Sequence, residues 1–190
     1  MLSRYINYLS LLDYELNKMF TNQAPFIKCK VGCAKCCKDG DFPTSELEYV
    51  NLMDYYRLLS DDLKNIIKKN IQSLLKLNNE KNYVCPFLIK DLCSVYPARP
   101  IICRTFGLIS YTSKGRKKIP FCVELGLNYS KVFDKKTSKI IKLAEDGTEP
   151  IAYNIDRTFL RSKEFEQSFN ICFGEDKRMV DWLKEDFNEI

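Results

Sequence analysis

Leu2, Tyr5, Ile6, Leu9, Leu12, Leu16, Met19 and Phe20 recur at steps of three and four residues, the spacing that lines one face of a helix. This predicts an opening helix whose apolar stripe packs into a core. A second helix is predicted after Pro43, capped by Thr44 or Ser45 and running through Tyr56, because Ser45 and Glu48 have capping-box spacing. A third follows from Leu63, Ile66, Ile67, Ile71, Leu74 and Leu75, behind Asp61 and Asp62, whose carboxylates suit a positive helix start. It is expected to end near Asn78 and Asn79. Met179, Val180, Trp182, Leu183 and Phe187 form a final amphipathic segment, and Phe165 and Phe169 sit one turn apart.

Two stretches fit neither helical nor alternating periodicity. Residues 25–40, PFIKCKVGCAKCCKDG, read as a ligand-bearing loop, and residues 83–106, YVCPFLIKDLCSVYPARPIICRTF, as a second one punctuated by three prolines. Beyond them, TFGLISY and KKIPFCV flank the polar turn Thr112 to Arg116, which predicts a short hairpin presenting Cys122. The expected fold is therefore mainly α: a small helical domain with cysteine-bearing loops and a short β-hairpin, organised around a thiolate metal site. No repeat, linker or break in composition divides the 190 residues, so one domain is expected, with its motif core over 29–122.

Composition sharpens this picture at two points. The chain has no histidine, which excludes every mechanism and metal site that needs imidazole, and it has nine cysteines. The net charge of +5 is too small an excess to argue for a nucleic-acid or membrane partner. No run reaches the roughly 18 apolar residues of a membrane span, and the start of the chain lacks the arrangement of a secretory signal. A cytoplasmic location is expected. In that reducing compartment clustered cysteines favour metal or redox chemistry over disulfides, and an odd count weakens a paired framework further.

Cys29, Cys33, Cys36 and Cys37 fall within nine residues, at spacings that bring thiolates around one ion, and Gly32 gives the loop freedom to fold sulfur inward. Neighbouring extended residues point apart, which leaves open whether Cys36 and Cys37 serve one metal. Cys85, Cys93 and Cys103 add three thiols. Arg99 and Arg104 beside them would neutralise thiolate charge and donate hydrogen bonds to sulfur. Lys28, Lys30, Lys35 and Lys38, like Asp39, Asp41 and Asp91, read as solvated loop charges.

The succession CKVGCAKCC, CPFLIKDLC and SVYPARPIICRTFG resembles the YkgJ family of cysteine-cluster proteins, also called the CxxCxxCC family and named for zinc or iron chelation. The resemblance covers residues 29–106 and includes Tyr96, Arg99, Pro100 and the pair Cys103 and Arg104. It implies an eight-cysteine metal site of Cys29, Cys33, Cys36, Cys37, Cys85, Cys93, Cys103 and Cys122. Three residues separate Cys29 from Cys33 where the family pattern has two, and Cys172 stands outside the pattern as a small buried side chain. The expectation is that the loops converge on one centre, with Arg99 and Arg104 contacting it. An iron–sulfur cluster is preferred as its occupant, since these take all-cysteine ligation and a Cys-Pro step such as Cys85-Pro86 occurs among their motifs. Zinc, closed by four thiolates, is the alternative. The corresponding roles are a redox or accessory function beside an unidentified partner enzyme, or a structural module for protein interaction. The flagellin lysine N-methylases of the FliB type are similar in their cysteine clusters and imply a link to protein methylation. With seven glycines and no glycine-rich strand-to-helix turn to cradle S-adenosylmethionine, an autonomous methylase is not expected.

Overall fold

The computed structural model describes residues 1–40, 42–77 and 82–187. In chain order it runs α1 (Leu2–Asn22), α2 (Lys35–Lys38), β1 (Pro43–Ser45), α3 (Glu46–Arg57), α4 (Asp61–Leu75), β2 (Leu88–Ile89), β3 (Leu92–Cys93), α5 (Ile101–Thr105), β4 (Ile109–Tyr111) and β5 (Lys117–Lys118). There follow β6 (Phe133–Asp134), β7 (Lys139–Ile140), β8 (Ala152–Tyr153), α6 (Arg157–Leu160), α7 (Lys163–Phe169), β9 (Asp176–Arg178) and α8 (Met179–Phe187). Single 3-10 turns stand at Ala24–Phe26, Tyr96–Ala98 and Phe121–Val123. The fold is thus mixed, helices with several two- and three-stranded ribbons, where the apolar periodicity predicts a mainly helical one. The reason is physical: most of these strands are two or three residues long, too short for an alternation to register in sequence.

Backbone contacts group the chain into two compact units, each assembled from separated segments. The first takes residues 3–30 and 101–171. Of the predicted α1 stripe Tyr5, Leu9, Leu12 and Leu16 are buried, Leu2, Met19 and Phe20 are half-buried, and Ile6 is exposed, while Tyr8, outside the stripe, is buried in its place. Phe165 and Phe169 of α7 present their rings edge-on to Tyr8, at 5.9 and 4.8 Å between centroids, and the Tyr8 hydroxyl donates to the Leu160 carbonyl at 2.6 Å. The predicted hairpin forms as β4 against β5, and β8 adds to β4 in parallel. Beneath it Phe26, Ile109, Val123, Tyr129 and Val132 form a core against which Ile119, Phe133 and Ile140 pack.

The second unit takes residues 31–100 and 172–187. The capping box appears as expected: the Glu48 carboxylate accepts from the Ser45 amide at 2.8 Å, while the Glu48 amide donates to the Ser45 hydroxyl. Both residues are fully buried. Ser45→Ala should destabilise the fold by about 1–2 kcal/mol, read from the urea midpoint, with bound metal per folded chain unchanged. The α4 helix buries Ile67, Ile71 and Leu74 and packs against α8, whose Leu183 is fully buried. The expected helix end at Asn78 and Asn79 lies outside the described residues, as does Asp41. β1 pairs antiparallel with β9, which ties the end of the second unit back to its beginning. No described helix is long and apolar enough to cross a membrane.

Candidate metal centre

Two segments of the second unit are stitched together by their backbones. Gly40 and Tyr83 exchange amide-to-carbonyl bonds at 3.4 Å each, and the Cys85 amide donates to the Cys37 carbonyl at 2.7 Å. The first cysteine loop thereby lies alongside the Cys85-Pro86 step. α4 holds that step from the other side, since Asn70 donates from its side chain to the Pro86 carbonyl at 3.0 Å.

Within the first loop, Gly32 takes φ +84°, the left-handed conformation expected of it, and Ala34 is left-handed too. Cys36 and Cys37 then lie on the single helical turn α2, not on extended backbone, and their sulfurs stand 3.9 Å apart. The extended backbone that would turn the two side chains apart is therefore absent here. On a helix, consecutive side chains diverge by about 100°, so two adjacent sulfurs can serve one location.

The second loop is a two-residue hairpin that sequence reasoning missed. β2 pairs with β3, joining Leu88 to Cys93, and both turn residues, Lys90 and Asp91, have positive φ. Such turns ordinarily carry Gly or Asn. Here the turn is held by its neighbours: Asp91 pairs with Lys38 of α2 at 2.5 Å, and Ser94 gives both its amide and its hydroxyl to the Phe87 carbonyl at 2.9 and 2.8 Å. Lys38 and Asp91, each read from sequence as a solvated charge, thus bridge one cysteine loop to the other.

The thiols of this unit interact. Burial pushes the Cys85 thiol up to about 12; the backbone N–H groups of Phe87 and Leu88 oppose this, while negative charge on Cys93 and Cys36 reinforces it. Burial also raises Cys93, against the Val95 N–H and the Arg99 guanidinium, with Cys36 again raising it. Cys36, Cys85 and Cys93 are therefore within electrostatic reach of one another, and Arg99 lies close enough to favour the Cys93 thiolate. The Arg99 guanidinium also sits 3.7 Å from the centre of the Tyr96 ring.

Cys33 is half-buried on the loop just ahead of α2 in the second unit, whereas Cys29, Cys103, Arg104 and Cys122 belong to the first unit. The amides of Lys28 and Cys29 both donate to the Asn128 side-chain oxygen, at 2.8 and 2.9 Å, and Asn128 is fully buried. Sequence reasoning missed this anchor, one hundred residues from the lysine it holds. Cys103 and Arg104 lie on α5, and Arg104 is buried in an ion pair with Asp13 of α1. Cys122 is buried in the 3-10 turn Phe121–Val123. Cys172, expected to be buried, is exposed.

All nine cysteines are free thiols. Among the described residues no three cysteine or carboxylate side chains stand close enough to hold a metal ion as they are placed. What fits a metal is the donor chemistry: half-buried thiols on two backbone-paired loops, with backbone N–H groups donating to the Cys85 and Cys93 sulfurs and the Arg99 charge favouring the Cys93 thiolate. A segregated set of cysteines with that environment defines the class of thiolate metal-binding domains. Residues 28–125, just over half of the chain, match the family described as "CxxCxxCC: Putative zinc- or iron-chelating domain", and the chain belongs to that family. No curated protein and no solved structure matches it.

Proposed function

We propose that the second unit holds one metal centre through four thiolates. Cys36, Cys85 and Cys93 supply three, and Cys33 or Cys37 of the same loop supplies the fourth. The observation that carries this is the electrostatic coupling of Cys36, Cys85 and Cys93 across backbone-paired loops, with amides of Phe87, Leu88 and Val95 favouring thiolate. Those amides lower the cost of gathering negative charge in a site without histidine, and Arg99 neutralises part of it. Burial keeps the metal-free Cys85 and Cys93 thiols protonated, so loading releases protons and joins metal affinity to folding. Cys29, Cys103, Cys122 and Arg104, which the family resemblance adds to the set, lie in the first unit and are not assigned to this centre.

The occupant we favour is an iron–sulfur cluster, on the Cys85-Pro86 step and the all-cysteine donor set. When bound, such a cluster supplies one-electron transfer, and the protein would serve a partner enzyme. Zinc is the competing occupant, because four thiolates close a tetrahedral site and would brace the two loops as a binding surface. Purification without oxygen, followed by visible absorption and elemental analysis, distinguishes them. A coloured protein with iron and sulfide is expected; a colourless one holding zinc alone overturns the cluster reading and leaves the thiolate site standing.

A further inference from the structure

The whole-chain charge of +5 conceals a segregation along the chain. Residues 112–142 hold nine Lys and Arg against two Asp and Glu, a net of +7, so the rest of the chain carries −2. Lys114, Arg116, Lys117 and Lys118 lie on the hairpin of β4 and β5; Lys131, Lys135, Lys136, Lys139 and Lys142 lie on and around that of β6 and β7. All nine are exposed. Only Lys131 meets a carboxylate among the described residues, Glu145 at 3.5 Å. An ordinary solvated face mixes both signs evenly and laces them into ion pairs, whereas this one is dominated by a single sign and carries one such pair.

The two hairpins are brought together in the first unit, since one pocket of about 240 Å³ draws its walls from both and from the turn between them: Lys117, Ile119, Pro120, Phe121, Val123 and Glu124 on one side, Phe133 and Ser138 on the other, with Lys117 and Glu124 as its two charged walls. Ile119 and Phe133 also pack against the core beneath, so the platform is anchored. The Phe121 ring is partly exposed and braced edge-on by Phe106 at 5.3 Å. An excess of exposed cations on two hairpins beside a recess with an exposed aromatic wall is what a chain of phosphates carrying flat bases requires: the cations displace counterions, and the ring offers a stacking face.

We propose that this face binds single-stranded nucleic acid, independently of the metal centre. The recess argues for a base over a lipid headgroup or an acidic peptide, neither of which needs an aromatic wall. Exposed Ile141 and Leu143 beside Lys142 are the feature a membrane would use, so vesicles belong in the test.

The experiment is fluorescence anisotropy of the full chain with labelled oligouridylate and oligothymidylate of about 12 nucleotides, titrated across salt concentrations. Binding is expected, with log Kd rising linearly with log salt at about 0.7 per phosphate contacted. Lys117→Glu with Lys139→Glu should raise Kd at least about tenfold, and the milder Lys114→Gln with Lys136→Gln by less. Lys69→Glu on α4 with Lys76→Glu at its C-terminal end changes net charge as much as the first pair and should leave Kd unaltered. Phe121→Ala should weaken binding about tenfold without changing the salt slope. Comparison of the two oligonucleotides, and of a duplex, identifies the preferred strand. No binding at low salt, equal losses in the hairpin and α4 variants, or stronger retention by phosphatidylserine vesicles or polyglutamate would overturn the proposal.

Discussion

Cys36→Ser and Cys93→Ser should each lose most of the bound metal and a large part of the fold's stability together, while Cys172→Ser loses neither. Cys36 and Cys93 belong to the group of thiols that interact across the paired loops, and a serine hydroxyl does not ionise to a metal-binding anion near neutral pH. Without the metal, two short loops remain joined by a few backbone bonds and one half-exposed ion pair, which contributes about 1 kcal/mol at most. The free energy of a structural thiolate site is folding free energy, of the order of 10 kcal/mol in small zinc domains, so even a fraction of it decides whether these loops stay ordered. Cys172 is exposed and outside the clusters, and its substitution controls for loss of sulfur as such. The readings are metal per chain by elemental analysis and the thermal midpoint. Losses at Cys172 equal to those at Cys36 would remove the assigned ligand set.

The parts of this arrangement that could be read in sequence are those whose cause is local. The α1 stripe, the Ser45 and Glu48 box, the Gly32 bend and the turn at Thr112 to Arg116 each follow from a spacing within a few residues, and each appears. What escaped depends on partners distant in the chain or on elements too short for a period. α2 is four residues long, so nothing in KCCK announced a helical turn bringing two sulfurs together. The Lys90 and Asp91 turn lacks the usual glycine and is fixed by Lys38 and Ser94 instead. β8 joins β4 across some forty residues, and Asn128 grips the Cys29 segment from farther still. The charge segregation was different: it was present in the sequence, but a whole-chain total averages it away, since binding responds to local charge density and not to the sum.

Gly40→Ala should be the most damaging single-methyl change in the cysteine loops, and its comparison with Gly32→Ala separates two reasons for a glycine. At Gly32 a new Cβ would meet nothing within 4 Å, so the cost is confined to holding alanine at φ +84°, about 1 kcal/mol. At Gly40 the backbone angle is ordinary, but a Cβ would fall 2.0 Å from the Phe42 ring and 2.8 Å from the Cys36 carbonyl. Phe42 is buried and has little room to turn away, and the Cys36 carbonyl is part of the turn that aims the sulfur. Relief must therefore come from moving the loop, at about 1–3 kcal/mol or more for an overpacked site. Because Gly40 also pairs with Tyr83, that movement draws the first loop away from Cys85. Gly40→Ala is thus expected to lower both the urea midpoint and metal per chain, whereas Gly32→Ala lowers the midpoint modestly and retains the metal. Equal behaviour of the two variants would mean that the close packing of Gly40 on the Cys36 backbone does not position the thiols.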